Sequence, residues 1–204
     1  ADGDAPAEVL DPTEVDGVAW LPPGDAVSRL SYPDDRALVE HVAGLAPVTA
    51  VTPLVRHAHA GERKKWNGID ALRPIDPRGQ TEADALAVVL ALFRPDHLVA
   101  APPLRCKQTL EPLAARLSLP IVADGAFAEP DEPDELPAKV KLAAARLVEL
   151  RAEGTAVICS QGKVMPPLLA ALTGAEDPAP YKTPKGGGWV LTWSGETLLG
   201  LSRL

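Results

Sequence analysis

PLVRHAHAGERKKW, running from Pro53 to Trp66, closes a short apolar run (Val48, Ala50, Val51, Leu54, Val55) with an arginine and a histidine, Arg56 and His57. Four basic side chains (Arg56, Arg63, Lys64, Lys65) and two histidines (His57, His59) fall within ten residues of this stretch. A short continuous apolar run reads as a strand buried on both faces, the kind that parallel sheets contain. Such a strand carries an imidazole and several positive charges out at its end. Neutral imidazole is nucleophilic near pH 7, and a phosphoryl group in transfer needs fixed positive charge around it. The pattern is therefore what phosphoryl chemistry on a histidine requires.

Downstream the chain alternates strand-like and helix-like runs. Strands are expected at Thr49–Val55, His97–Ala101, Pro120–Val122 and Thr155–Cys159, with helices at Thr81–Phe93, Lys107–Leu117, Pro137–Ala152 and Val164–Leu172. Thr81, followed by Glu82 and Asp84, reads as an N-cap with an acidic first turn, and Leu86, Val89, Leu90 and Phe93 follow as one apolar helical face. The end of the chain reads as a hairpin, Trp189–Trp193 and Thr197–Leu201 about a turn at Ser194-Gly195. Trp189 and Trp193 share a strand face with position 191, which suits a core better than base stacking. The expected fold is a three-layer α/β/α domain with a mostly parallel sheet.

With 204 residues, 46% of them hydrophobic, the chain can bury one good core and a small appendage. It has no run of about 18 apolar residues, so no membrane span is expected. It begins at Ala1 without a basic-then-apolar leader, and reads as a fragment of a cytoplasmic protein. The two cysteines, Cys106 and Cys159, read as buried reduced thiols. A cysteine-phosphatase loop would need an arginine six residues on, where this chain has Pro112 and Met165. The first 45 residues hold ten acids against Arg29 and Arg36, a balance of −8 that equals the charge of the whole chain. The neutral remainder is a poor match for a nucleic-acid polymer, whose binding depends on many phosphate contacts. It can still gather arginines around one small phosphate.

Within those first 45 residues, Val15–Leu21 reads as a strand, and Pro23–Leu30 and Pro33–Ala43 as short helices, too little to build a core alone. The segment EVDGVAWLPPGDAVSRLSYPDDRALVEHV resembles the last strand and closing helix of a Nudix hydrolase domain whose glutamate-bearing box is absent from this chain. Residues 1–45 are thus expected to be a Nudix C-terminal tail and residues 46–204 a second domain.

The second domain carries further pieces with chemistry: DALRPIDPRGQTEA (Asp70 to Ala83), APPLRCKQTLEPLA (Ala101 to Ala114), AFAEPDEPDEL after the third strand, and CSQGKV (Cys159 to Val164). Three of these follow strands, where parallel sheets hold ligands. Together they resemble the histidine phosphatase superfamily, in its SixA-like branch, over roughly residues 48–204. Arg56-His57 falls on the family's Arg-His signature, with Ala58 in place of the usual glycine. Arg105 and Thr109 match its second arginine motif, and Asp70, Arg73, Pro74 and Gly79 match the linker of the SixA-like branch.

The resemblance implies that His57 accepts the phosphoryl group while Arg56 and Arg105 clamp its oxygens. Arg63 joins them as a phosphate-binding residue, with Lys64 and Lys65 guiding anions toward the site. Gln161 occupies a position where the family normally carries histidine. Its amide can donate a hydrogen bond but holds no charge, and Lys163 is the candidate to restore some of it. Glu129 is the candidate general acid, with Asp131 and Glu132 as rivals, in a stretch that reads equally as a solvated loop. His59 is expected on the rim rather than as a second nucleophile, and His41 and His97 as incidental.

SixA-like enzymes manage without the acid, which suits good leaving groups such as a nucleotide phosphate, whose second pKa is about 6. The expected activity is thus a metal-independent phosphatase acting on nucleoside di- or triphosphates or other phosphoanhydrides and phosphoramidates, needing no cofactor. The implied parent resembles actinobacterial MutT-type Nudix–histidine phosphatase fusions, which act on 8-oxo-(d)GTP and dinucleoside polyphosphates. Magnesium would belong to the Nudix domain alone, in cis or from a neighbouring molecule. Neither a nucleic-acid polymer nor a membrane is an expected partner. The competing expectation, which Gln161 supports, is a weakly active or inactive phosphate-binding module that assists the Nudix domain.

Overall fold

The computed structural model describes Val9 and residues 11–204. The chain divides between Pro47 and Val48 into two compact units. In the first, helices α1 (Pro23–Arg29) and α2 (Pro33–Ala43) each open on a proline, whose fixed φ suits the first helical position. The expected strand at Val15–Leu21 does not form, and those residues are irregular. A strand needs a neighbouring strand to pair its backbone N–H and C=O groups, and this unit has no other strand among its described residues. Ala1–Glu8 and Leu10 of the expected Nudix tail, with the acids Asp2, Asp4 and Glu8, lie outside the described residues.

The second unit is built on strands β1 (Ala50–Arg56), β2 (His97–Ala100), β3 (Ile121–Ala123), β4 (Ala156–Ser160), β5 (Gly188–Ser194) and β6 (Thr197–Arg203). They form one sheet in the order β3-β2-β4-β1-β5-β6. The first four run parallel, and β5 pairs antiparallel with both β1 and β6. Helices α3 (Pro77–Ala91), α4 (Leu104–Leu117), α5 (Leu136–Glu153) and α6 (Met165–Thr173) connect the strands.

The crossovers β1-α3-β2 and β2-α4-β3 step toward one sheet edge, whereas β3-α5-β4 steps back. Right-handed crossovers then put α3 and α4 on one face and α5 on the other. Helices α3 and α4 pack together, as do α5 and α6. All five residues of β4 are buried. They pack with Leu54, Val55, Leu98 and Val99 of the neighbouring strands and with Leu110, Leu147 and Leu168 of the helices. Each such aliphatic side chain contributes about 1.5–3 kcal/mol on burial, which fixes the sheet and hence the ends of its strands.

Two helix starts differ from expectation. Helix α3 opens at Pro77, with Asp76 as its cap accepting from the Gly79 N–H at 2.9 Å. Thr81 lies one turn inside, its hydroxyl donating to the Pro77 carbonyl. The Asp-Pro pair outcompetes threonine because proline presets φ while aspartate caps. Helix α4 opens at Leu104 rather than Lys107, so Arg105 sits in its first turn. Trp189 and Trp193 are both buried, under Arg203 and Arg151 respectively.

Candidate active site

The carboxyl ends of the parallel strands deliver the candidate residues to one edge of the sheet. Arg56 is the last residue of β1 and His57 the next; Gln161 follows β4 directly. The register pairs Arg56 with Ser160, and the His57 N–H donates to the Ser160 carbonyl at 3.1 Å, so His57 and Gln161 leave adjacent strands side by side. Arg105 enters from the turn after β2, and Glu129 from the short turn after β3.

His57 is 5% exposed. Its Nδ1 lies 2.8 Å from the carbonyl oxygen of Ala58. A carbonyl only accepts, so Nδ1 carries the proton and Nε2 keeps its lone pair. Burial, above all, pushes the imidazole pKa down to about 4; the Ala58 hydrogen bond opposes this, and the charges of Arg105, Arg56 and Lys185 reinforce it. The loop behind the ring is fixed by Thr109, whose hydroxyl accepts from the Ala58 N–H at 2.9 Å and donates to the Arg105 carbonyl at 2.6 Å. One threonine thus couples the two arginine-bearing segments.

The arginines are anchored but not spent. Arg56 donates through Nη1 to the Thr183 carbonyl at 2.7 Å, and its buried Nε has no hydrogen-bond partner among the described residues. Its guanidinium lies flat against Gly162, where a Cβ would come 2.6 Å from its Cζ. Burial lowers the Arg56 pKa, and the charge of Glu129 partly offsets this. Arg105 reaches the Asp70 carbonyl at 2.8 Å and the Asp70 carboxylate at 3.2 Å, and its Nε too is buried without a partner.

Asp70 also takes Arg73 at 2.9 Å and Arg63 at 3.6 Å. Burial raises its pKa, but the Arg73 hydrogen bond and the charges of Arg105, Arg73 and Arg63 hold it below the usual value. Arg73 is itself buried and donates to the Ala60 carbonyl. A single carboxylate therefore orients three guanidiniums, yet the cluster keeps a surplus of positive charge.

Gln161, 3% exposed, accepts the Glu129 N–H at its Oε1 over 2.9 Å. That bond fixes the amide orientation and leaves the NH2 without an acceptor among the described residues. Glu129 in turn accepts the Lys163 N–H at 3.0 Å, with its second oxygen 4.0 Å from the Lys163 ammonium. Arg63, Asp70, Arg105, Glu129, Gln161 and Lys163 line one cleft of about 360 Å³. Arg63 and Lys163, with side chains 72% exposed, stand on its rim.

Asp131, the rival acid, lines this cleft as well, whereas Arg56 and His57 are not among its lining residues and the remaining sequence candidates fall outside it. His59 pairs through Nδ1 with Asp76 at 2.6 Å, and that carboxylate also takes the Gly61 N–H. Lys65 pairs with Glu62, and His97 faces the Glu153 carbonyl. Cys106 and Cys159 are buried free thiols. Among the described residues no three or more of His, Cys, Asp and Glu gather as a metal-ligand group, and no helix is long and apolar enough to cross a membrane.

Two participants were missed in the sequence. Lys185 lies close enough to lower the His57 pKa, and burial together with Arg56 and Arg73 lowers its own. Thr183 offers the carbonyl that holds Arg56. The signal was the glycine-rich stretch TPKGGG before the terminal hairpin, since the Gly187 carbonyl accepts the Arg56 N–H at 2.8 Å and Gly186 donates to the His57 carbonyl at 3.2 Å.

Residues 53–134 match a known family's description, histidine phosphatase superfamily (branch 1). The chain is 37% identical over 199 residues to an 8-oxo-(d)GTP phosphatase of Mycolicibacterium smegmatis. That match covers 94% of the chain, which spans only 59% of the relative's length. Among solved structures, the protein histidine phosphatase SixA complexed with tungstate superposes with a TM-score of 0.59 at 21% identity, covering 76% of this chain and 94% of that one. A mycobacterial glucosyl-3-phosphoglycerate phosphatase gives a TM-score of 0.60 at 17% identity, over 76% and 97%. Both structures share the fold.

Proposed function

We propose that residues 48–204 remove a phosphoryl group from a small anionic substrate by way of a phosphohistidine at His57. The observation that carries this reading is the tautomer: Nδ1 is committed to Ala58, and Nε2 keeps a lone pair among three cations. That lone pair attacks phosphorus, an N–P bond forms, and the bond to the leaving oxygen breaks with its electron pair departing on that oxygen. The ring retains its Nδ1 proton against the Ala58 carbonyl. Water then attacks phosphorus, the N–P electron pair returns to Nε2, and inorganic phosphate leaves with the oxygen and both protons of that water, one of which it can then lose to solvent.

Arg56 and Arg105 supply forked donors to the phosphoryl oxygens, the role a metal ion fills in other phosphoryl-transfer sites. The free amide NH2 of Gln161 adds a neutral donor, and Arg63 and Lys163 attract anions at the rim. Glu129, on the cleft wall, is the candidate acid for substrates that need one.

The substrate class we favour is nucleoside diphosphates and related phosphoanhydrides or phosphoramidates, which need no acid from the protein: the first release a phosphate of low pKa, and the nitrogen of the second already carries a proton from solvent. The name of the Mycolicibacterium smegmatis relative, 8-oxo-(d)GTP phosphatase, supports oxidised guanine nucleotides. We read residues 1–45 as the tail of a Nudix domain that would act upstream, in cis or from a neighbouring molecule, with magnesium confined to that domain. A substrate panel tests the reading: phosphoanhydrides and phosphoramidates should be turned over faster than sugar phosphates, and the reverse order would defeat it.

A second reading, a phosphate-binding module with slow turnover, draws on Gln161, whose amide carries no charge where the family has histidine. Tight phosphate binding without multiple turnovers of any panel member would favour it.

A further inference from the structure

A second cavity opens directly beside the phosphate cleft. This groove, of about 430 Å³, runs between the start of α5, the start of α6 and the turn at residues 177–182. Its walls are largely apolar, with Leu136, Pro166, Pro167 and Pro178 among them. It adjoins the phosphate cleft at Lys163, which lines both. Gly162 forms part of its wall, and the Arg56 guanidinium lies flat against that same glycine. The phosphate clamp and the groove are therefore one residue apart.

We infer that this groove is the nucleobase subsite, and that it selects guanine; the inference rests on the nucleotide-phosphatase reading above. Ligand sites are mostly apolar cavities of roughly 300–1,000 Å³ in which a few polar groups fix orientation, and this groove has that character. Proline rings present rigid apolar faces to a flat base at no further entropic cost. The polar group that fixes orientation is Asp177. One of its oxygens accepts the Ala179 N–H at 2.8 Å, and the other has no hydrogen-bond partner among the described residues.

A carboxylate is an acceptor only, so it complements the adjacent N1–H and N2–H donors on the Watson–Crick edge of guanine. Adenine presents an acceptor at N1, which a carboxylate repels. Lys182, also on the groove, can donate to the guanine carbonyl. A nucleotide with its terminal phosphate between Arg56 and Arg105 would pass over Lys163, where the next phosphate meets an ammonium, and reach the groove with its base.

The apolar cleft on the other side, of about 290 Å³ beside Trp66, fits less well. It shares no lining residue with the phosphate cleft, and Gly68 packs against the Trp66 indole at the distance where even a Cβ would sit 3.1 Å from the ring.

The test is steady-state kinetics of the full chain with GDP, ADP and phosphoramidate. Leu136→Glu puts a carboxylate into the groove wall at the first turn of α5, where helices tolerate acids. It should raise the KM for GDP relative to that for phosphoramidate about tenfold. Asp177→Asn keeps an oxygen for the Ala179 N–H and replaces the free acceptor with an amide. It should erase any preference for GDP over ADP. Trp66→Ala should leave all three substrates as in the wild type. GDP turnover with an unmoved KM in both groove variants, or a raised KM for GDP in Trp66→Ala, would overturn the subsite alone. Phosphoramidate turnover with none of GDP would overturn the nucleotide reading and the subsite together.

Discussion

The Nδ1 of His57 stands 2.8 Å from the carbonyl oxygen of Ala58, a contact in which only the ring can be the donor. The imidazole is thereby locked in one tautomer, with Nε2 left to act. Burial holds its pKa near about 4, well below the ordinary 6.5. The ring proposed as the nucleophile should therefore stay uncharged through the whole neutral range. The acid limb of kcat/KM is expected near pH 4–5, and a limb at pH 6–7 from His57 would contradict this arrangement.

Stability should follow the same group. The unfolded imidazole takes its proton near pH 6.5, the folded one only near about 4. As pH falls between these values the unfolded chain binds more protons, so stability present above pH 6.5 is lost progressively down to about pH 4. A shift of this size is worth about 3 kcal/mol for a group so deeply buried. Urea midpoints for wild type and His57→Gln at pH 7 and pH 4.5 should show a smaller acid loss in the variant. Equal losses would show that His57 does not carry the effect.

The Gln161 amide oxygen is occupied by the Glu129 N–H, so its NH2 is the end left to donate to a phosphate. Gln161→Ala should lower kcat about 10²-fold, the usual cost of one oxyanion donor. Gln161→Glu keeps the acceptor and turns the donor into a second anionic oxygen. It should be worse than alanine, and inorganic phosphate should inhibit it more weakly. A glutamate variant as active as wild type would remove Gln161 from the phosphate site.

Gly162 has an ordinary backbone conformation, so its importance lies in space rather than in φ. A methyl group there would meet the Arg56 guanidinium at 2.6 Å. Gly162→Ala should push that guanidinium off its Thr183 anchor and raise the KM for phosphate substrates about tenfold, with little change in melting temperature. Unchanged kinetics would mean that Arg56 can shift without consequence.

Asp70 orients Arg73, Arg105 and Arg63 at once. Asp70→Asn leaves two buried guanidiniums without a counter-charge and should cost about 3 kcal/mol of stability, measurable by denaturant unfolding. Substrate affinity should fall as well, because Arg105 loses its carboxylate anchor. A neutral substitution would show the three contacts to be incidental.

The strands and helices of the second unit were legible where the chain punctuates itself. The apolar run of β4 and the arginine-histidine end of β1 both stand where periodicity put them. The start of α3 was misread because Thr81 is a good cap by composition, whereas Asp76-Pro77 is a better one by geometry. The Val15–Leu21 run has strand composition, yet no strand forms there among the described residues, an outcome set by the rest of the fold rather than by local sequence. In the site, residues adjacent to strand ends were readable. Lys185 was not, because it reaches His57 only after β5 has paired with β1 across some 130 residues of chain. Likewise the role of Asp70 depends on three arginines that the fold alone brings together.

The decisive measurement is a single-turnover reaction of the full chain with a nucleoside diphosphate labelled in its terminal phosphate, quenched in base. Wild type should trap acid-labile label as phosphohistidine, with phosphorus on Nε2 of His57 by 31P NMR, and His57→Ala should trap none. Substrate consumption without trapped histidine label, or label that persists in His57→Ala, would rule out His57 as the phosphoryl acceptor.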